Sequence, residues 1–241
     1  MRRVNLIPMA GAGQRFADVG YTVPKPLIEV GGVPMAVRSA QSLPDADHWI
    51  FICRQEHIAQ HHLDDVLRDH FAGAEVLTID RLTEGQASTC MLATPSLRDD
   101  DMLTIGACDN AMVWDREGFD TASTEADAMI WTFRDNLAVE QDPTMYGWVA
   151  VDPEGLVTRV SCKVPISDEP RKDHAVIGAF TFRRASTFVH CVESMIAAER
   201  RLNGEFYMDV ALDECVRLGY RVSPWEVREY VCWGTPKDYE S

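Results

Sequence analysis

A chain of 241 residues, 46% hydrophobic and 25% charged, is long enough for one sizeable core and short for two independent ones. Its formal net charge of -15 argues against nonspecific binding to nucleic acid or to an anionic membrane surface, since both draw on an excess of lysine and arginine. The seven cysteines (Cys53, Cys90, Cys108, Cys162, Cys191, Cys215 and Cys232) are scattered, odd in number and form no C-x-x-C pair, which disfavours a disulfide framework or structural zinc and favours reduced thiols in a cytoplasm.

Taken in chain order, short apolar runs alternate with longer helical patterns. The opening MRRVNLIPMAGAG has too short an apolar stretch for a signal peptide, and no later window approaches a membrane span, so a soluble protein is expected. VNLIPM, HWIFIC, AEVLTI and DMLTIG read as buried strands. Between them PMAVRSAQSL begins with a proline suited to a first helical turn. QEHIAQHHLDDVLRDH, with apolar Ile58, Leu63, Val66 and Leu67, reads as one helix, and GQASTCMLATPSL fills the third gap. The triple aspartate at 99–101 reads as a solvated turn. The second half turns to ADAMIWTF, YGWVAVD, GLVTRV and HAVIGAFTF, strands with turn signals such as DPEG between them. Two helices follow, in STFVHCVESMIAAERRL and in FYMDVALDECVRLG, the second stopping at Gly219. The pattern predicts one α/β domain over 1–241, a mostly parallel sheet wrapped by helices and continued by a mixed or antiparallel portion.

The chemistry concentrates in LIPMAGAGQRFADVGYTVPKPL, residues 6–27. A glycine-rich turn after a first strand exposes backbone N–H groups that hold phosphate oxygens, and Gly11 and Gly13 fit that role. A dinucleotide fingerprint would need glycine at position 16, which is Phe16. Arg15 and Lys25 add two cations, and the prolines flanking Lys25 restrict its backbone, so the lysine is presented from a stiffened segment. That arrangement suits a triphosphate. Asp109 follows DMLTIG at a strand's carboxyl end, where open α/β sheets place ligands; on position alone it reads equally as a magnesium ligand or a loop cap.

AGAGQRF followed by PKPLIEVGGVPM resembles the signature of the nucleotidyltransferases that make NDP-sugars from an NTP and a sugar 1-phosphate. LTEGQAST, IGACDN, YGWVAVD, CKVPIS, HAVIGAFTF, NGEFYMDVAL and WGTPKDYE follow in that family's order, so the resemblance covers most of the chain. Among its members the chain is most similar to short ones associated with bacterial surface polysaccharide (capsule), some of which use CTP and an acceptor that is not a sugar. The resemblance implies a GT-A-like, Rossmann-type three-layer fold with a nucleotide-binding half over 1–115 and an acceptor-binding half over 116–241. It implies that Met9, Ala10, Gly11, Ala12, Gly13, Arg15, Lys25, Gly85, Gln86 and Asp109 line the nucleotide site, and that Asp109 holds magnesium. It implies further that Gly147 and Lys163 receive the acceptor, Lys163 at its phosphate.

Three positions depart from that pattern. Cys232 stands where a second metal-binding aspartate is usual, which leaves Asp209 as the candidate second ligand. Cys162 replaces the usual glutamate that bonds sugar hydroxyls, so an ordinary hexose 1-phosphate is disfavoured and Glu205 is the candidate replacement contact. Asp80 replaces a glutamine that reads a pyrimidine. An ionised carboxylate only accepts hydrogen bonds, which favours the cytosine amino group, and after it guanine, over uracil or thymine.

The remaining signals read as structural. His57 and His61 have i, i+4 spacing but no third ligand, and a solvated helix face explains them. Trp131, Trp148, Trp225 and Phe182 belong to strands and core. No serine, histidine and aspartate set suggests a hydrolytic triad. The expected function is transfer of NMP from an NTP to a phosphorylated small-molecule acceptor with Mg2+, Arg15, Lys25 and Lys163 being catalytic. A GT-A glycosyltransferase consuming an NDP-sugar is one rival, against which PKPL argues. A noncatalytic nucleotide-binding regulatory protein is the other, raised by Cys162 and Cys232.

Overall fold

The structure, a computed structural model, describes residues 1–240. In chain order the elements are β1 (Arg3–Met9), α1 (Gln14–Ala17), a small hairpin of β2 (Glu29–Val30) and β3 (Val33–Pro34), α2 (Met35–Gln41), β4 (His48–Arg54), α3 (Gln55–His61), α4 (Leu63–His70), β5 (Glu75–Ile79), α5 (Gln86–Met91) and β6 (Met102–Ile105). There follow β7 (Asn110–Val113), α6 (Arg116–Glu125), β8 (Ala128–Phe133), α7 (Ala138–Gln141), β9 (Gly147–Val151), β10 (Val157–Cys162), β11 (His174–Phe182), α8 (Ala185–Ala197), α9 (Met208–Arg217), β12 (Val222–Glu226), β13 (Glu229–Cys232) and α10 (Pro236–Tyr239).

The predicted α/β architecture is the one observed. β6, β1, β4 and β5 form a parallel run in that order. Consecutive apolar residues suit such strands because both faces are covered. In β1, Val4 and Leu6 enter one core with Ile50, Ile52 and Phe188, while Ile7 and Met9 enter another with Phe51, Cys53 and Trp131. This is the period-2 alternation of a strand between two helix layers. The second half extends the same sheet through β11, which runs antiparallel to β6, β8 and β9. β11 bonds β9 through His174 and Ala175 and bonds β6 through Phe180 to Phe182. One nine-stranded sheet therefore runs through both halves of the chain. The long helices α8 and α9 cover it, burying Phe188, Val192 and Met195 from one and Met208, Ala211, Leu212 and Cys215 from the other at helical spacing.

Several expectations are corrected. The single helix over 55–70 is two, because His62 takes a left-handed conformation (φ 52°) that ends α3 and starts α4. His57 does not lie on a solvated face: its side chain is only 12% exposed and its Nδ1 is buried without a partner. The aspartate run is not wholly solvated either. Asp101 is fully buried, pairs with Arg2 at 2.6 Å and accepts from the Arg98 N–H at 2.7 Å, locking the entry to β6 onto the start of β1. The antiparallel ribbon of β7 with β13, the edge strand β12 and helix α6 were not foreseen. Trp131, Trp148, Trp225 and Phe182 do lie in strands, and the first two and Phe182 are fully buried. Among the described residues no helix is long and apolar enough to cross a membrane, and all seven cysteines are free thiols.

Candidate functional site

The loop after β1 turns at Gly13, whose φ of 63° is open to glycine at little cost, and passes directly into the short α1. A Cβ on Gly11 would meet nothing within 4 Å, so no packing within the chain requires a glycine there. Phe16, at the position where a dinucleotide fingerprint needs glycine, is buried with Ile28, Met35 and Trp233 and meets Tyr21 and Tyr239 edge-on. The aromatic plug anchors the loop from below and leaves its backbone facing outward. Pro24 is extended (φ -62°), and Lys25 opens a single 3-10 turn with Pro26 and Leu27. The stiffened lysine predicted from the two prolines is thus what the backbone presents.

Lys25 Nζ donates to the Asp109 carboxylate and, at 3.0 Å, to the Gly234 carbonyl. Burial works most strongly against the ammonium, but Asp109, Cys108 and Cys232 around it together outweigh that, and the Lys25 pKa is raised. Lys25 is therefore a fixed cation with two donors engaged and a third left for a phosphate oxygen. Arg15 is exposed, and among the described residues no ion pair engages it. A cavity of about 350 Å³ is lined by Met9, Gly11, Gly13, Arg15, Lys25, Asp109 and Gly234. Ala10 is buried beneath it, and Ala12 lines a smaller recess on the other side of the loop.

A second cavity, of about 700 Å³, shares Arg15, Lys25, Asp109 and Gly234 with the first and runs on to Gln86, Gly147, Cys162, Lys163, Tyr207 and Asp209. Lys163 follows β10 in a left-handed conformation (φ 59°), its N–H held by the Tyr146 carbonyl at 3.1 Å. Asp209, in the first turn of α9, faces Gly147 so closely that a Cβ there would come within 2.1 Å of Asp209 Oδ2. Burial pushes the Asp209 pKa up to about 6, against the opposing pull of Cys162 and Lys163. The Cys162 thiol is raised in turn by burial and by Asp209, so it stays protonated.

Sequence prediction and geometry diverge around the carboxylates. Cys232 pairs with Asn110 across the ribbon and so stands beside Asp109. A Cβ on Gly234 would lie 3.2 Å from Cys232 Sγ, 3.6 Å from Asp109 Oδ2 and 4.0 Å from Asp238 Oδ2. Asp238 accepts from Thr235 Oγ1 at 2.7 Å in the capping box of α10. Asp209 lies against Gly147 in the larger cavity, which Asp109 also lines. Among the described residues no three His, Cys, Asp or Glu side chains gather as a metal-holding group, His57 and His61 included. A magnesium ion that arrives on nucleotide phosphates needs only one or two protein carboxylates.

The structure does not bring every predicted residue to these cavities. Asp80, exposed at the end of β5, lines a separate recess of about 340 Å³ with Arg54, Gln55, Glu56 and Gln60. Glu205 is not at a helix start, because α9 begins at Met208; it is exposed in a turn closed by Leu202 and Glu205. Gly85 (φ 120°) is pressed against Phe206, whose carbonyl oxygen would lie 2.6 Å from an added Cβ. Sequence reasoning missed Tyr207 and the Gly234 carbonyl. The second was within reach in the WGTPKDYE segment, whereas nothing in the sequence marks Tyr207.

A family model described as nucleotidyl transferase matches residues 4–205. No curated protein matches the chain. Among solved structures, it is similar to a nucleoside-diphosphate-sugar pyrophosphorylase from Vibrio cholerae, at 22% identity over 98% of each chain with a TM-score of 0.80. It is also similar to the inositol-1-phosphate CTP transferase of T. maritima, at 16% identity over 99% of this chain and 94% of that one, with a TM-score of 0.77. A Bacillus anthracis protein assigned as a glucose-1-phosphate thymidylyltransferase, crystallised with sucrose, is 18% identical over 99% of this chain and 92% of that one, with a TM-score of 0.74. At these identities the likeness is one of fold.

Proposed function

Because the chain belongs to the nucleotidyl transferase family, we propose that it transfers a nucleoside monophosphate from an NTP to a phosphorylated small-molecule acceptor of nucleotide-sugar or surface-polysaccharide metabolism. The observation that carries this reading is the continuity of the larger cavity, which joins Arg15, Lys25 and Asp109 to Gly147 and Lys163. A pocket with cations at both ends holds two phosphate-bearing molecules. A glycosyl donor and a neutral acceptor would leave Lys163 without a charge to meet.

In the reaction an acceptor phosphate oxygen attacks the α-phosphorus in line, and the bond to the β-phosphate's bridging oxygen breaks, so pyrophosphate leaves. Gly11 and Gly13 admit the triphosphate close to the backbone, and Arg15 and Lys25 neutralise charge that grows on the leaving pyrophosphate. Lys163 holds the attacking phosphate and lowers the repulsion between two anions brought together. Asp109 is the residue that would hold magnesium, and the ion when bound offsets phosphate charge. Asp209 stands ready for the acceptor's side of the cavity. Asp80 lines a separate recess and so gives no ground for choosing CTP, and glucose 1-phosphate is disfavoured because Cys162, which lines the larger cavity, replaces a glutamate.

The test is a matrix of four NTPs against phosphorylated sugars, polyols and glycerol phosphate, read by pyrophosphate release with and without magnesium. Release that needs both substrates and the metal supports the proposal. Release from an NTP without any acceptor, or from no combination, overturns it. Efficient use of glucose 1-phosphate overturns the Cys162 argument alone.

A further inference from the structure

Of the two lysines that line the larger cavity besides Lys25, Lys237 donates to Gln141 at 2.8 Å, and Lys163 is the one at the proposed acceptor end, where its own loop does little to aim it. Its N–H bond to Tyr146 and its left-handed backbone fix where the side chain leaves the main chain. Four flexible methylenes then separate that point from the ammonium. The aiming contact is elsewhere: Nζ donates to the hydroxyl of Tyr207 at 3.1 Å and lies 4.8 Å from the centre of its ring.

Tyr207 is well suited to the task because the turn that carries it is fastened down. The Phe206 N–H donates to the Glu84 carbonyl at 2.7 Å, and the Ala87 N–H donates to the Phe206 carbonyl at 3.0 Å. Phe206 is fully buried, Arg201 lies 4.0 Å over its ring, and Arg201 also pairs with Glu84 at 2.9 Å. The close seat of Gly85 against Phe206 completes the clamp. The hydroxyl accepts from Lys163.

We propose that Tyr207 is a positioning residue that aims Lys163 at the acceptor phosphate. The inference rests on the reading of Lys163 as the acceptor-phosphate cation. It ties the acceptor end to residues 84–87, beside which the nucleotide is expected. The hydroxyl of a phenol on a clamped turn has two rotatable side-chain bonds behind it, against four for lysine, so it is the more rigid partner and sets the position of the pair.

The experiment follows inorganic phosphate binding to the full 15N-labelled chain by NMR, reading the amides of Gly147 and Gly11 separately. Tyr207→Phe is expected to weaken phosphate binding reported at Gly147 at least fivefold and to change that at Gly11 less than twofold. Lys163→Ala is expected to abolish saturable shifts at Gly147, and adding Tyr207→Phe to it to cost nothing further. With an acceptor found in the pyrophosphate assay, Tyr207→Phe should raise KM for that acceptor fivefold and leave KM for the NTP unchanged. If Tyr207→Phe binds phosphate as the parent does while Lys163→Ala does not, Lys163 aims itself and the inference falls. A loss in the double variant beyond that of Lys163→Ala would mean that Tyr207 acts on phosphate directly, which also overturns it. If Lys163→Ala binds normally, the reading of Lys163 is what fails.

Discussion

The two ends of the cavity are built in opposite ways. The end proposed for the nucleotide comes from one local stretch: residues 9–13 leave β1, the aromatic plug under Phe16 turns them outward, and Lys25 returns ten residues after Arg15 to meet Asp109. The end proposed for the acceptor has no local motif. Gly147 opens β9, Lys163 follows β10, and Tyr207 and Asp209 come from the turn and first helical residues after α8. The first end needs a particular short sequence, and the second needs the sheet and α9 to be assembled before any of its parts adjoin. Charge differs too. The half-buried Lys25 ammonium is favoured beside Asp109, whereas Asp209 is pushed toward its neutral form and has a thiol, Cys162, as neighbour.

The largest effect should break the nucleotide end. Asp109→Asn and Lys25→Ala are each expected to lower turnover at least a hundredfold, about 2.7 kcal/mol of transition-state stabilisation, in a pyrophosphate-release assay. Near-normal turnover in both would remove that end from the chemistry. A glycine pair then separates the ends. Gly147→Ala puts a methyl into the Asp209 carboxylate, so acceptor KM should rise about tenfold, about 1.4 kcal/mol, with some loss of thermal stability. Gly11→Ala meets nothing in the chain, so its melting temperature should match the parent's while KM for the NTP rises. Equal melting temperatures and equal KM values for both variants would dissolve the contrast.

A separate effect, on stability rather than turnover, is a pH dependence. Asp209 has a folded pKa of about 6, above its unfolded 3.8, so the folded chain binds the extra proton between those values. Stability from this group is present at low pH and is lost as pH rises through about 6, by up to about 3 kcal/mol. Asp209→Asn should therefore raise the melting temperature relative to the parent at pH 7.5 and much less at pH 4. A uniform shift at both pH values would place Asp209 in an ordinary carboxylate environment.

What the sequence made legible follows from the same contrast. The strands from VNLIPM to HAVIGAFTF were readable because burial on both faces forces consecutive apolar residues, and Gly13, Pro24 and Pro26 were readable because each restricts or frees its own backbone. Asp101 was misread because its partner Arg2 is 99 residues away. The ribbon of β7 and β13 was missed for a similar reason: four residues opposite four others, more than a hundred positions apart, carry no periodicity of their own. His62 in a left-handed conformation has no sequence signature comparable to glycine. Tyr207 looked like an aromatic at the head of a helix until the fold set it beside Lys163.

β11 has a consequence of another kind. Its first residues are bonded to β9, which begins at Gly147, and its last to β6, which leads to Asp109. The strand is thus the backbone link between the two ends of the cavity, and its register shifts between Val176 and Phe180, where Gly178 takes a φ of 89°. Extended residues on either side of that irregularity each advance the chain by about 3.4 Å, so the spacing of the two ends is set by the backbone rather than by the side chains that line the cavity.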